Sequence, residues 1–130
     1  MYTRAAKNGR WGEIYAVRLL RDEKNYDIVA CNYRVRGGEI DIIAIDGECI
    51  VFAEVKTRGK NAIASPREWV TEEKRRKIIY TAKCFMAFDK RPLQPRFDVV
   101  EIILDDSYLP PKAVEINHII DAFRCEDEIF

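Results

Sequence analysis

The stretch Gly38-Glu39-Ile40-Asp41-Ile42-Ile43-Ala44-Ile45-Asp46-Gly47-Glu48-Cys49-Ile50-Val51-Phe52-Ala53-Glu54-Val55-Lys56 decides the fold. It contains two apolar strands joined at Asp46-Gly47, a strong hairpin signal. Side chains alternate along a strand, so Glu39, Asp41, Ile43 and Ile45 share one face, and Ile50, Phe52, Glu54 and Lys56 share one face of the next strand. A two- or four-residue loop puts both sets on the same side. With Asp46-Gly47 as the loop, Asp41 faces Phe52 and Glu39 faces Glu54. Asp41 and Glu54 are then diagonal neighbours, about 7–8 Å apart at the backbone. Two carboxylates at that separation can reach one divalent cation, whose bonds to oxygen span about 2.0–2.6 Å.

The alternate positions Ile40, Ile42 and Ala44, and Val51, Ala53 and Val55, are apolar as well. Strands apolar on both faces are central strands covered on both sides. Charges at the end of such strands are costly unless paired or metal-bound. The plainer alternative is an ion pair of Lys56 with Glu54 or Asp41 closing the end of a core strand.

Working outward, the chain toward the N-terminus predicts a helix over 8–24. Glu13, Ala16, Val17 and Leu20 form one stripe on it, so Glu13 points toward the sheet. Gly9 and Gly12 allow a close approach there. A strand over 26–35 follows, ending in Arg34 and Arg36, with Arg36-Gly37-Gly38 as the turn into the hairpin. Beyond Lys56, Arg58 and Lys60 make a short basic loop at the mouth of the candidate site. Ser65-Pro66-Arg67-Glu68 has the form of a helix start, and Thr71-Glu72-Glu73 offers a second cap. Ile78, Ile79, Ala82, Phe85 and Met86 form the apolar stripe of that helix, and Lys74 and Arg75 align with it, leaning toward the sheet. Residues 96–104 read as a further strand. Val114–Ile116 reads as a short edge strand, and Ile119–Phe123 as a turn of helix. His118, the only histidine, has no nucleophile suggested nearby and reads as structural.

A chain of 130 residues fits one domain, over 1–123, followed by an acidic tail over 124–130 with the composition of a disordered end. There is no apolar run long enough to span a membrane and no signal-peptide core, which implies a cytoplasmic protein without a membrane partner. Cys31, Cys49, Cys84 and Cys125 are scattered and imply reduced, mostly buried thiols rather than a zinc site or disulfide framework. The net charge is zero, yet residues 98–130 hold nine acids against two bases. With 22 of each in the chain, residues 1–97 hold 20 bases against 13 acids. That asymmetry permits an anionic partner. Overall neutrality implies modest affinity, or an oligomer such as a homodimer that pools basic surfaces.

The order of helix with Glu13, strand, strand with Asp41, strand with Glu54-Val55-Lys56, helix, strand resembles the core of restriction-endonuclease-like nucleases. The proline that often precedes the first acid is replaced by Ile40. Gly9–Ala16, Asn32-Tyr33-Arg34, Gly38–Asp41, Phe52–Arg58, Arg96–Val100 and His118–Phe123 resemble, in order, the motifs of the YraN family of uncharacterised bacterial proteins. That family is similar in turn to archaeal Holliday-junction resolvases. The loop Gly59–Ala64 and the charged tail depart from the family pattern.

The resemblance implies an α/β fold with a central mixed sheet flanked by helices on both faces, and a metal-dependent nuclease acting on DNA. Asp41, Glu54 and the carbonyl of Val55 would hold Mg²⁺ or Mn²⁺, cations that prefer oxygen ligands. Lys56 would orient or activate water, and Glu13 would bind a metal-bound water or complete a second metal site. Arg34, Arg36, Arg58, Lys60, Lys74 and Arg75 are the candidate phosphate contacts. The alternative is a nucleic-acid-binding or protein-interaction module that keeps the fold without the chemistry.

Overall fold

Gly47 turns the chain between Asp46 and Cys49 with a φ of 58°, at the first position of a two-residue loop, as in a type II′ hairpin. The loop is therefore Gly47-Glu48, one residue later than the Asp46-Gly47 dipeptide suggests. Asp46 stays in the strand, where Arg96 Nη1 holds its carboxylate at 2.7 Å. The register runs through Ile43↔Phe52 to Asp46↔Cys49, so Asp41 does not face Phe52 and the diagonal arrangement expected from the sequence is corrected. Both loops have two residues, so Ile43, Ile50 and Phe52 share one side.

The computed structural model describes residues 4–62 and 70–125. In chain order these contain α1 (Arg4–Arg18), β1 (Asp27–Val35), β2 (Gly38–Asp46), β3 (Cys49–Gly59), α2 (Glu72–Phe88), β4 (Gln94–Asp105) and β5 (Lys112–Phe123). The helix start at Ser65–Glu68, the end of the 59–64 loop and the last five residues lie outside the described residues. The five strands form one sheet in the order β1-β2-β3-β4-β5. β3 and β4 are parallel and the other neighbours antiparallel. The parallel pair is joined through α2, because such strands need a crossover connection.

Each face carries its own core. On one face Ile43, Phe52, Phe97 and Val99 pack with Ile78, Ala82 and Phe85 of α2. On the other, Ile42, Ala44, Val51, Ala53, Val100 and Ile102 pack with Ala16 and Leu20 of α1. The strand alternation read from the hairpin accounts for most of this division. It breaks at Asp41: Ile40 lies beneath α2 with Ile43, although Ile42 lies beneath α1. In β1 the residue before Tyr33, Asn32, takes a left-handed φ of 54°, and its neighbours pair as Cys31↔Ile42 and Tyr33↔Ile40. The two edge-side strands are thus distorted together at the position of the candidate acid.

α1 begins four residues before the predicted start and closes with a π-helical turn over Leu19–Glu23. α2 starts at the second predicted cap, where Thr71 Oγ1 accepts from the Lys74 amide at 3.2 Å. β5 corrects the C-terminal reading, being one strand of 12 residues with no helical turn over 119–123. Pairing with β4 supplies its backbone hydrogen bonds, and the extended path brings Phe123 onto Phe97 with ring centroids 5.0 Å apart. The thiols are free, but none is fully buried and Cys31 is exposed, another departure from the expectation. No helix among the described residues is long and apolar enough to cross a membrane.

Candidate active site

Where β2 and β3 separate, Asp41 Oδ2 accepts a hydrogen bond from the Val55 amide at 2.8 Å. A side-chain carboxylate thus occupies the place of a ladder bond, beside Glu54. Glu54 is almost fully buried, and its Oε1 receives Lys74 Nζ from α2 at 2.8 Å and Lys56 Nζ from β3 at 3.6 Å. Glu13 reaches the same place from α1, hydrogen-bonding with Asp41 and feeling the charges of Glu39 and Glu54. Turned so that its NH₂ meets acceptors, the Asn32 amide donates to Glu13 Oε1 at 3.1 Å and Glu39 Oε1 at 3.3 Å.

Gly12 explains how the helix gets so close. It is buried against β3, and a Cβ added there would lie 1.8 Å from Thr57 Oγ1. Gly9, about one turn earlier in α1, would meet nothing within 4 Å. On the other side of the sheet Gly38 is pressed against α2, where a Cβ would lie 2.1 Å from Thr81 Oγ1 and 3.0 Å from the Lys77 carbonyl. Two glycines therefore let both helices bear directly on the strands that carry Asp41 and Glu54.

The electrostatics follow from burying three carboxylates with two lysines. Burial, with Glu54 beside it, pushes Asp41 up to about 7. Burial also raises Glu13, reinforced by Glu39, against the opposing hydrogen bonds from Asp41 and Asn32. Burial and the adjacent Lys74 lower Lys56. Burial works against the charge on Lys74 too, but its hydrogen bond to Glu54 holds its pKa above the ordinary value. Of the two ammonium groups, Lys56 is the one that gives up its proton more readily.

The remaining sequence candidates divide. Arg34 pairs with Glu39 at 3.3 Å, and Arg36 is exposed in the β1–β2 turn. Arg58 pairs with the fully buried Glu101 at 2.8 Å, and Lys60 with Asp105 at 3.0 Å. Arg75 donates to the Val70 carbonyl at 3.1 Å and lies over the Phe123 ring. The structure brings Glu13, Asp41, Glu54, Lys56 and Lys74 together, and holds Arg58, Lys60 and Arg75 in contacts of their own.

Asn32 escaped notice as a site residue, although an asparagine among strand residues tolerates a left-handed backbone better than most. A buried network on the β4–β5 side of the sheet also escaped. There Arg96 grips Asp98 through two nitrogens at 2.9 Å, and His118 Nε2 lies 2.8 Å from the same carboxylate. His118 is thus built into the frame, on the edge strand β5, with β4 between it and Val55.

Among the described residues no group of three or more His, Cys, Asp or Glu side chains forms a ready-made metal cage. The oxygen donors at Asp41 and Glu54 nevertheless fit a hard cation. Asp41 keeps a proton to nearly neutral pH for want of positive charge, and a cation would take the place of that proton.

The model of the uncharacterised protein family UPF0102 matches residues 12–102, from Gly12 through the whole site. The chain belongs to the UPF0102 family. This is the family to which the YraN resemblance points. A UPF0102 protein of Geotalea uraniireducens (strain Rf4) is 46% identical over 117 residues, covering 89% of this chain and 88% of its own. One from Chlorobium chlorochromatii (strain CaD3) is 40% identical over 119 residues, 91% and 92% of the two chains. UPF0102 protein CPE1705 of Clostridium perfringens (strain 13 / Type A) is 41% identical over 117 residues, 89% and 93%. This UPF0102 chain therefore aligns with most of each relative's length, and Glu13, Asp41, Glu54, Lys56 and Lys74 all lie within residues 12–102.

Proposed function

We propose that this protein is a divalent-metal-dependent nuclease of restriction-endonuclease-like fold that hydrolyses phosphodiester bonds of DNA, selecting its substrate by structure, at junctions or repair intermediates. The observation that carries the reading is the convergence of Asp41, Glu54 and Lys56 where β2 and β3 separate, with Asp41 pushed up to about 7 by burial beside Glu54. Buried carboxylates short of positive charge, next to a lysine whose pKa is lowered, are suited to hydrolysing an anionic ester. The mixed sheet with a helix on each face is compatible with that fold.

Asp41, Glu54 and the carbonyl of Val55 would hold Mg²⁺ or Mn²⁺, which supplies polarisation of the phosphate and stabilisation of the leaving oxygen. Lys56 would position the attacking water, accept its proton when neutral, and offset charge on the phosphorus centre when protonated. As water attacks, the P–O bond to the leaving oxygen breaks and that oxygen ends protonated. Glu13, tied to Asp41 and Asn32, would hold a second water or complete a second metal site. No base-reading motif is present in the sequence, so DNA shape carries the selectivity. A homodimer would pool the exposed basic side chains, Arg34 and Arg36 among them.

One observation favours a second reading. Glu54 already has two lysines on one oxygen, as a purely structural ion-pair network would. A binding module that keeps the fold without the chemistry would look like this.

The experiment compares wild type, Lys56→Ala and Asp41→Ala by Mn²⁺ titration and by cleavage of linear duplex, single-stranded, flap and four-way-junction DNA. Lys56→Ala should bind Mn²⁺ nearly as wild type but cleave about 10²–10³-fold more slowly. Asp41→Ala should lose both metal and cleavage. Wild-type cleavage by Lys56→Ala overturns the assigned chemistry, and identical Mn²⁺ behaviour of wild type and Asp41→Ala favours the binding module.

A further inference from the structure

Lys74 sits in an unexpected place for a cation. It is the third residue after the cap Thr71, in the first turn of α2. The positive end of the helix dipole disfavours a cation there, and Glu72 and Glu73 follow that rule. Lys74 instead crosses to the sheet and makes the shortest contact at Glu54, 2.8 Å to Oε1 against 3.6 Å for Lys56. Its side chain is 40% exposed, compared with 26% for Lys56 and 9% for Glu54. It therefore stands at the lip of the site on a flexible stem, with solvent on one side. The site holds three carboxylates, Glu13, Asp41 and Glu54, against two ammonium groups, Lys56 and Lys74 itself, so exchanging one ammonium for a doubly charged ion improves the local balance.

We propose that Lys74 is a placeholder: in the metal-free protein its ammonium group occupies the position on Glu54 that a divalent cation takes, and cation binding frees it to contact a nucleic-acid phosphate. This deepens the nuclease reading and rests on it. The released lysine leaves a buried carboxylate that the incoming cation neutralises, and it gains a phosphate only once the cation is in place. Metal binding and nucleic-acid binding are then coupled, each strengthening the other by the same factor. Lys56 does not share this role, because it belongs to β3 itself and holds the longer contact with Glu54. A lysine clamp at the mouth of the site and an ion-pair partner of Glu54 become two states of one side chain.

The test is a calorimetric Mn²⁺ titration of the full chain without nucleic acid, in wild type, Lys74→Ala, Lys74→Arg and Lys56→Ala, each checked for folding by thermal unfolding. Lys74→Ala should bind Mn²⁺ about tenfold more tightly than wild type, since the ion no longer displaces a charge-assisted hydrogen bond. Lys74→Arg should bind no more tightly than wild type. Lys56→Ala should stay within about threefold. A through-space effect of charge alone would tighten Lys74→Ala and Lys56→Ala equally, and that result overturns the placeholder. A second arm measures the salt dependence of duplex affinity. With saturating Ca²⁺, Lys74→Ala should lower the magnitude of the log–log slope by about 1, and without divalent cation it should change nothing. Equal changes in both conditions also overturn the proposal. Equal Mn²⁺ affinity in all four proteins overturns the placeholder and leaves the nuclease reading standing, whereas no Mn²⁺ binding in any of them removes both.

Discussion

At Asp41 a carboxylate takes a backbone amide as partner and lies against two other carboxylates. Its fate with pH follows from that environment. An unfolded aspartate loses its proton near pH 3.9, whereas native Asp41 keeps one up to about 7. Between those limits the native state binds the extra proton, so raising the pH destabilises the metal-free protein. Asp41→Asn removes this term. In the presence of a chelator it should raise the unfolding free energy by about 1–3 kcal/mol at pH 8 and by little at pH 4. Urea unfolding at the two pH values checks this, and a difference that does not vary with pH would mean Asp41 is not held protonated. Asp98 shows the opposite behaviour under comparable burial. Burial opposes its charge, but His118, Arg96 and the Asp121 amide outweigh burial and keep its pKa below the ordinary value. Its stabilising contribution is present at neutral pH and is lost as the pH falls below the ordinary carboxylate range. Two buried aspartates on one sheet thus differ in sign because Arg96 bonds directly to Asp98, whereas Asp41 takes its hydrogen bond from a backbone amide beside Glu54.

At the scale of elements, the site depends on how closely α1 approaches β3. The same substitution at two glycines of one helix should give opposite results. Gly12→Ala drives a Cβ to 1.8 Å from Thr57 Oγ1, so α1 or Thr57 has to move, at a cost of about 1–3 kcal/mol. Gly9→Ala meets open space and should stabilise by about 0.5–1 kcal/mol through helix propensity. Thermal or urea unfolding of the two variants settles it, and destabilisation by both would show that the helix, rather than the contact with Thr57, requires glycine. The strands were more legible than this contact. Period-two alternation located β2 and β3 and their two faces. The one-residue shift of the loop could not be read, because Asp46-Gly47 and Gly47-Glu48 suit a tight turn about equally and the choice depends on Arg96 holding Asp46 from β4. β5 was misread for a similar reason: Ile119 and Ile120 fit a helix or a strand, and only the ladder with β4 chooses.

Over the whole molecule, the charge asymmetry of the sequence is largely cancelled in space. Arg4 pairs with Asp106, Arg58 with Glu101, Lys60 with Asp105 and Arg96 with Asp98, joining the basic portion of the chain to the acidic one. Arg58 and Lys60 are therefore better placed to hold β3 to β4 than to meet phosphates. Replacing both by Ala should leave the salt slope of DNA binding unchanged within about half a unit, where loss of two phosphate contacts would lower it by nearly 2. It should also destabilise the fold by about 3 kcal/mol, chiefly because Glu101 remains buried without its cation. A reduced slope with unchanged stability would restore the reading of these residues as a phosphate-binding loop.

The sequence by itself determined the family, the α/β character, the core strands and which acids and lysine those strands carry, because strand alternation and motif spacing are local properties. Tertiary structure alone decided which charges are spent on one another. It placed Lys74 on Glu54, withdrew Arg58 and Lys60 to β4, and recruited Asn32 through a left-handed backbone beside Asp41. Each of these contacts joins residues far apart in the chain across layers or strands. Long basic side chains in a sequence carry no mark of the carboxylate they will meet, since that partner is fixed by strand order and helix packing.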